Sequence, residues 1–598
     1  MPRSWPERHW LVAVFLIACL NASLFALVTP LWQAPDEPGH TEYACLLGQL
    51  RRPLLGHDRS AALQQTILIS LARHDFWAQV RAPVPATLPA SFAADPFLLR
   101  SASQIGDEPP FYYLVPAGLC QLPLSLAMRV RLMRLFGAGL FGLTAAITAW
   151  AWRAGPRDRW QTAMARWQPL LLALLPMPAF IAGSVNNDSL ALLAGTLTFA
   201  TMLRGQRLGW TRRRVVGLVL AAALAVVSKK TTWFVLPWLL TLAGWTLWRG
   251  LGWRGWNLRR RVFMAAGLAV LLVGLLRWPT AAPAGWRGYG QWLGGGRVAV
   301  ASPAGTAVRV VDRSSERLGR IVNTVEAPTA SALRGEVVTA TLWVRSADDQ
   351  PARGRVLLRD SAGATELHFM VGAQWQPVML THTVALTTTY LALVGGPGWA
   401  AADTGDILLA DAAVMTDTRT NLLHNGDFAA AARAGEVLAA PLRPLWQQFA
   451  PRTGGAWPDP RQSLLFLALL FPGFWGNFGW LQHPLPLPVY GVLAAFVALA
   501  GWGGVRRWRR RDGTRALAGV WLLATALALL QAVLPMIGRD WQPQGRYLFP
   551  ALLPITGLLL WGLDEQIHWS ERRCWRAALL AGVFMLDVAG LLAAGGVL

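Results

Sequence analysis

Five short polar segments carry side chains whose types and spacing suit acid–base or phosphate chemistry. The first, APDEPGHTEY, places Asp36, Glu37, His40 and Glu42 close together. Adjacent carboxylates beside a His can act as a general base or hold a divalent metal; a solvated acidic turn would use the same residues. The second, GDEPPFYYLVP, sets Asp107 and Glu108 before a Pro pair, and the third, SVNNDSLALL, groups Asn186, Asn187, Asp188 and Ser189 between two apolar runs. Asp and Ser are ordinary helix caps, yet an ionisable group between apolar runs is also a functional candidate. The fourth, VVSKKTTWF, holds Lys229 and Lys230, the only lysines in the chain. They could anchor to lipid headgroups or bind an anionic phosphate. The fifth, GRDWQPQGRYLFPALLP, presents Arg539, Asp540, Gln544, Arg546 and Tyr547.

The elements that position these segments must cross a membrane. Of 598 residues, 54% are hydrophobic and only 15% charged, too apolar for a soluble enzyme of this length. Eleven apolar runs approach the roughly 20 residues a helix needs to span about 30 Å of hydrocarbon. They are Trp10 to Val28, Leu135 to Trp152, Pro169 to Val185, Ser189 to Leu203, Val215 to Ser228, Thr231 to Trp248, Val262 to Leu276, Pro488 to Val505, Ala516 to Ile537, Tyr547 to Leu563 and Ala577 to Leu598. The first is read as a span rather than a cleaved signal, because no small-residue cleavage site follows it. The 32 Trp suit interfacial belts.

The net charge of +23 does not point to nucleic acid, because the Arg residues cluster in turns between apolar runs, as the positive-inside rule places them. Arg153 to Arg166, Arg204 to Arg214, Arg249 to Arg261, Arg506 to Arg515 and Arg572 to Arg576 are therefore assigned to the cytoplasm with the N-terminus. All five polar segments then fall on the opposite face, where Arg546 breaks the charge bias. Two further apolar stretches, Phe111 to Met128 and Leu464 to Trp480, would put Arg clusters on the wrong side if they crossed fully, so both are expected to be re-entrant or surface-lying; the alternative is that one crosses and the charge rule is locally violated. Cys19, Cys45, Cys120 and Cys574 show neither metal-ligand spacing nor a disulfide framework; Cys45 and Cys120 could meet outside the membrane, but all four are expected to be unpaired packing residues.

From about residue 281 to 460 the texture changes. Alternating runs such as EVVTATLWVRS, GRVLLRDS and WQPVMLTHTVAL, separated by Gly, Asp and Pro, predict an antiparallel β-sandwich. The flanking charges put it on the extracytoplasmic side. Its late strands and the segment NLLHNGDF resemble jelly-roll carbohydrate-binding modules, although a spacer domain would look the same. The expected architecture is a polytopic α-helical membrane protein of about 11 transmembrane helices. An N-terminal module, 1–280, includes a long outer loop over 30–131; the inserted sandwich spans 281–460 and a C-terminal module 461–598.

The ordered motifs PDEPGH, EPPFYY, NNDS, SKK, FWGNFGW and PQGRYLFP resemble the bacterial membrane-protein family called domain of unknown function twenty-one forty-two. That family is allied to the GT-C superfamily, whose glycosyltransferases take a sugar from a polyprenyl-phosphate donor outside the cytoplasm. The resemblance implies an extracytoplasmic active face in a bacterial inner membrane, a glycan or lipid acceptor, and inverting transfer. It implies that Asp36 is the general base, with Glu37 and His40 beside it. Lys229, Lys230 and Arg546 would hold the polyprenyl phosphate, with Glu108, Asn187, Asp188, Gln544 and Tyr547 completing the site. A divalent metal at Asp36, Glu37 and His40 stays open, since no Asp-X-Asp motif is present. Two other readings remain: a transporter or flippase, which calls for internal repeats and charges buried near helix centres, neither evident in the sequence; and a non-catalytic component of polysaccharide assembly.

Overall fold

In a computed structural model, the residues described are 7–52, 54, 60–92, 95, 98, 108–153, 158–250, 279–288, 296–301, 305–310, 320–326, 329–348, 350–360, 362–388, 390–397, 405–416, 420–433, 460–510, 513–537 and 543–597. Asp107, Arg539, Asp540 and the apolar run 262–276 lie outside them.

Helix α1 (Glu7–Val28) is apolar beyond its first turn apart from Asn21 and Ser23, and Pro30 follows its end. The outer loop that follows is itself helical, with α2 (Glu37–Leu50), α3 (Ala61–Arg73), α4 (Phe76–Gln79) and α5 (Leu114–Cys120). Next come α6 (Leu126–Trp152), α7 (Arg159–Ala173), α8 (Pro176–Ala182), α9 (Asp188–Leu208), α10 (Arg212–Ser228) and α11 (Val235–Gly250). Their starts carry the expected signals. Ser125, Asp158 and Thr211 each accept a hydrogen bond from the backbone N–H three residues on. Pro176 cannot continue α7, so α7 and α8 form one path bent by 59°.

The C-terminal group is α12 (Pro460–Trp475), α13 (Leu487–Arg510), α14 (Arg515–Ile537), α15 (Leu552–Ile567) and α16 (Arg573–Ala594). A 3-10 segment, Gly545–Ala551, leads into α15. Among the described residues six helices are long and apolar enough to cross a membrane, or seven if α7 and α8 count as one span. Ten of the eleven expected runs are helical; the shortfall arises because α9, α10 and α11 are too short or too polar to meet that test. Phe111 to Met128 holds only the seven-residue α5 and the first turn of α6. Leu464 to Trp480 holds α12, broken after Trp475 and followed by a small hairpin.

Two charged groups are buried within helices read from sequence as apolar. Arg134 on α6 is 1% exposed, and Asp587 on α16 is buried against Asn21 of α1, whose Nδ2 donates to it at 3.0 Å. The expectation that no charge is buried near a helix centre is corrected by Asp587, which lies midway along the run Ala577 to Leu598, where a single Asp leaves little trace in an averaged apolar run; Arg134 stands one residue before the run Leu135 to Trp152.

The central region forms two five-stranded antiparallel sheets from β1 (Pro279–Pro283), β2 (Trp286–Gly288), β3 (Gly296–Ala299), β4 (Thr306–Val310), β5 (Ile321–Glu326), β6 (Val337–Ser346), β7 (Ala352–Arg359), β8 (Ala364–Val371), β9 (Gln376–Thr383), β10 (Tyr390–Pro397), β11 (Ile407–Met415) and β12 (Ala431–Arg433). One sheet runs β2-β5-β10-β7-β8 and the other β3-β4-β11-β6-β9, while β1 pairs with β12. Strict alternation on β6 sends Val338, Ala340, Leu342 and Val344 into the shared core. The NLLHNGDF segment stitches the last strands together: Asn421 bridges Ala412, Val414 and Leu423, and Asn425 donates to the carbonyls of Ala284 and Ala430. Its Asn residues therefore act on backbone groups.

Candidate functional site

Four segments, far apart in sequence, meet at the helix ends opposite the Arg-rich turns. α1 delivers the turn 29–36, α8 and α9 the turn 183–188, α10 the Lys pair, and α15 the 3-10 segment before it. That last segment is buried because its neighbours are glycines: a Cβ on Gly545 would lie 2.2 Å from the Phe474 amide nitrogen, and one on Gly195 would lie 2.2 Å from the Pro550 carbonyl oxygen. Only at this closeness does Arg546 reach across to the first loop.

A chain of ion pairs joins the segments. Lys229 Nζ lies 2.8 Å from Asp188 Oδ1, Arg546 Nε lies 3.6 Å from Asp188 Oδ2, and Arg546 Nη2 donates to Asp36 Oδ2 at 2.5 Å. Asp188 is 1% exposed. Asp36 stands at the N-cap of α2 in the left-handed conformation, φ 63°, yet caps no helical N–H. Such a backbone costs on the order of 1 kcal/mol or more and is retained where surrounding contacts enforce it. Here the carboxylate is turned toward Arg546, and among the described residues no donor reaches Oδ1. Arg546 Nη1 is likewise buried without a partner. The site thus holds one carboxylate oxygen open to a proton and one guanidinium N–H open to an anion.

Glu37 is not part of that opening; both its oxygens are engaged elsewhere. Its Oε1 accepts from Arg134 Nε at 2.8 Å and Val185 N at 3.2 Å, and its Oε2 accepts from Arg134 Nη2 at 2.7 Å and Trp32 N at 3.0 Å. With both oxygens doubly occupied and the side chain fully buried, Glu37 holds three elements together. Arg134 also donates to the carbonyls of Ala26, Thr29 and Pro30, tying the end of α1 to α6.

His40 Nδ1 shares a hydrogen bond with the Tyr113 hydroxyl at 2.7 Å. Burial first, and then the charges of Lys229 and Arg546, hold the imidazole well below its usual pKa of 6.5, so it is neutral. The unfolded chain binds a proton near that value while the folded chain does not, so stability falls as pH drops below about 6.5. We expect the Tm of detergent-solubilised protein to decline from pH 7 to pH 5, and His40→Gln to flatten that decline. Parallel profiles would contradict the assignment. Glu108 lies beside Asn187, whose Nδ2 donates to Oε2 at 3.0 Å, and burial raises its pKa against the opposing pull of Lys229 and Lys230.

Other expectations fare differently. Asp36, Glu37 and His40 do not converge on a common point, since each is directed to a different partner, and among the described residues no three of His, Cys, Asp and Glu gather as a metal site. Glu42 accepts from Gln64 on α3 at 2.6 Å. Lys230 is exposed on a 3-10 turn, Gln544 opens the 3-10 segment, and the Tyr547 ring centroid lies 6.0 Å from Arg546 Cζ. Cys45 and Cys120, expected to be unpaired, form a disulfide that fixes α5 on α2 beside the site. Sequence reasoning missed Arg134, Tyr112 and Tyr113; the signal for Arg134 was a cation immediately before an apolar run.

The FWGNFGW motif forms the turn that closes over this region. Trp480 Nε1 donates to Trp32 O at 2.9 Å, and Gln482 Nε2 donates to Val80 O.

Comparison with known proteins gives the following. No curated protein matches the chain in sequence. The structure is similar to that of TmCBM61 in complex with beta-1,4-galactotriose, at 13% identity and TM-score 0.17, covering 23% of this chain and 92% of that one. It is also similar to the S. cerevisiae protein O-mannosyltransferase Pmt1-Pmt2 complex bound to the sugar donor, at 12% identity and TM-score 0.44, covering 100% and 91% of the two chains. A family model described as "Predicted membrane protein (DUF2142)" matches residues 19–299, from α1 through the first strands of the sandwich. Over those residues the chain is similar to this family of predicted membrane proteins.

Proposed function

We propose that the protein is a glycosyltransferase of GT-C type, moving a sugar from a polyprenyl-phosphate donor to a glycan or lipid acceptor on the extracytoplasmic side of a bacterial inner membrane. The observation that carries this reading is the ion-pair chain Asp36–Arg546–Asp188–Lys229, in which open N–H donors stand beside an open carboxylate oxygen. An enzyme of this class needs those two functions side by side. Asp36 Oδ1 takes the proton of the acceptor hydroxyl as its oxygen bonds to the anomeric carbon, while the bond from that carbon to the phosphate oxygen breaks. Lys229, Lys230 and Arg546 hold the phosphate and stabilise the charge it gains as it leaves. Inversion at the anomeric carbon follows from a single displacement. The sandwich positions acceptor or product.

The side of the membrane is supported by two observations. The Arg clusters lie at the other helix ends, and the Cys45–Cys120 disulfide suits an oxidising compartment. A transport reading draws on one feature, Asp587 buried in α16 with Asn21. Lys229→Gln should bind undecaprenyl phosphate at least about tenfold more weakly than wild type, because a charge-assisted contact is lost. Equal affinity would remove the phosphate site.

A further inference from the structure

The segments that meet at Asp36 carry an unusual number of buried amide and hydroxyl atoms with no partner among the described residues. Neither Oε1 nor Nε2 of Gln33 is hydrogen-bonded, and the same holds for Thr41 Oγ1, Asn186 Nδ2, Asn187 Oδ1 and Gln482 Oε1. Gln33, Thr41, Asn186 and Asn187 are each at most 4% exposed. Buried polar groups are nearly always satisfied, so a concentration of open ones calls for a missing partner.

Three of the amides are anchored at one end and open at the other. Asn186 Oδ1 accepts from Asp188 N at 2.9 Å while its Nδ2 is open; Asn187 Nδ2 donates to Glu108 while its Oδ1 is open; Gln482 Nε2 donates to Val80 O while its Oε1 is open. Anchoring fixes each amide plane in advance. The open set contains both donors and acceptors. A phosphate or carboxylate offers acceptors only and cannot satisfy Asn187 Oδ1 or Gln482 Oε1, whereas a sugar hydroxyl both donates and accepts.

These groups belong to one neighbourhood. Gln33 lies three residues before Asp36, Glu37 binds Val185 next to Asn186, and the turn carrying Gln482 is hooked to Trp32 by Trp480. We infer that Gln33, Asn186, Asn187 and Gln482 form a subsite for the hydroxyls of an uncharged sugar, next to the phosphate site. This rests on the glycosyltransferase reading and names its substrate class: neutral sugars, selected by a neutral amide shell beside charged phosphate-binding groups.

The experiment measures affinity of the purified full-length protein by ligand-dependent thermal shift. The probes are undecaprenyl phosphate and the same lipid carrying mannose, glucose, galactose or arabinose. Wild type should bind at least one sugar-bearing lipid about tenfold more tightly than the bare phosphate. Gln33→Leu should lose that increment and keep its affinity for undecaprenyl phosphate. Gln482→Leu gives a second reading if Gln33→Leu fails to fold. Phosphate binding with no sugar increment, or an increment unchanged in both variants, would mean the amides hold water only and would overturn the subsite alone. Failure of wild type to bind any of these lipids would overturn the glycosyltransferase reading and the subsite with it.

Discussion

Arg134→Met should destabilise the protein by about 3–5 kcal/mol, the range seen when one partner of a buried ion pair is removed. The side chain is 1% exposed and its partner Glu37 is fully buried, so Met would leave a carboxylate in the interior with two of its four hydrogen bonds gone. It would also strip the donors from the carbonyls of Ala26, Thr29 and Pro30, where the chain turns from α1 into the loop that carries Asp36. A loss of this size is comparable to the whole stability of many proteins. Thermal unfolding in detergent and the amount of protein in membranes both report it. The double variant Arg134→Met with Glu37→Leu should recover part of the loss, since both charges are then gone and the two effects are not additive. A single variant that melts within about a degree of wild type would mean the clamp does not hold the loop.

This clamp shows where sequence reading reaches its limit. Composition and the spacing of apolar runs reveal the membrane class, and ten of the eleven runs are helices, because a bilayer demands long apolar stretches whatever their partners. Strand alternation reveals the sandwich for a similar reason, since period two is local. The polar motifs are also visible locally, and the structure brings Asp36, Asp188, Lys229 and Arg546 into one chain of contacts. What the sequence does not reveal is which carboxylate in DEPGH is free. Asp36 and Glu37 are neighbours of the same chemical type, and their fates are set by Arg546 and Arg134, far away in the chain. The sequence leaves the Cys45–Cys120 pairing open but cannot decide it, because nothing local shows that α5 folds back on α2. Pairings of long range are decided by packing, and packing has no local signature.

Asp36→Asn should reduce sugar transfer by about a hundredfold to ten-thousandfold, the range associated with loss of a general base. The substitution keeps the size and planarity of the side chain, and its amide oxygen can still accept from Arg546, while Asp188 continues to neutralise that guanidinium. Folding should therefore change little, in contrast to Arg134→Met, and the two variants separate chemistry from architecture. Binding of undecaprenyl phosphate should also persist, since Lys229 and the open Nη1 of Arg546 are untouched. The decisive measurement is transfer of labelled sugar from polyprenyl-phosphate donors by envelope membranes containing equal amounts of wild type or Asp36→Asn. Transfer by wild type that collapses in the variant, with unchanged Tm and protein level, is the result this account predicts. Equal transfer by both would contradict it, and would leave transport or assembly as the better explanation of the site.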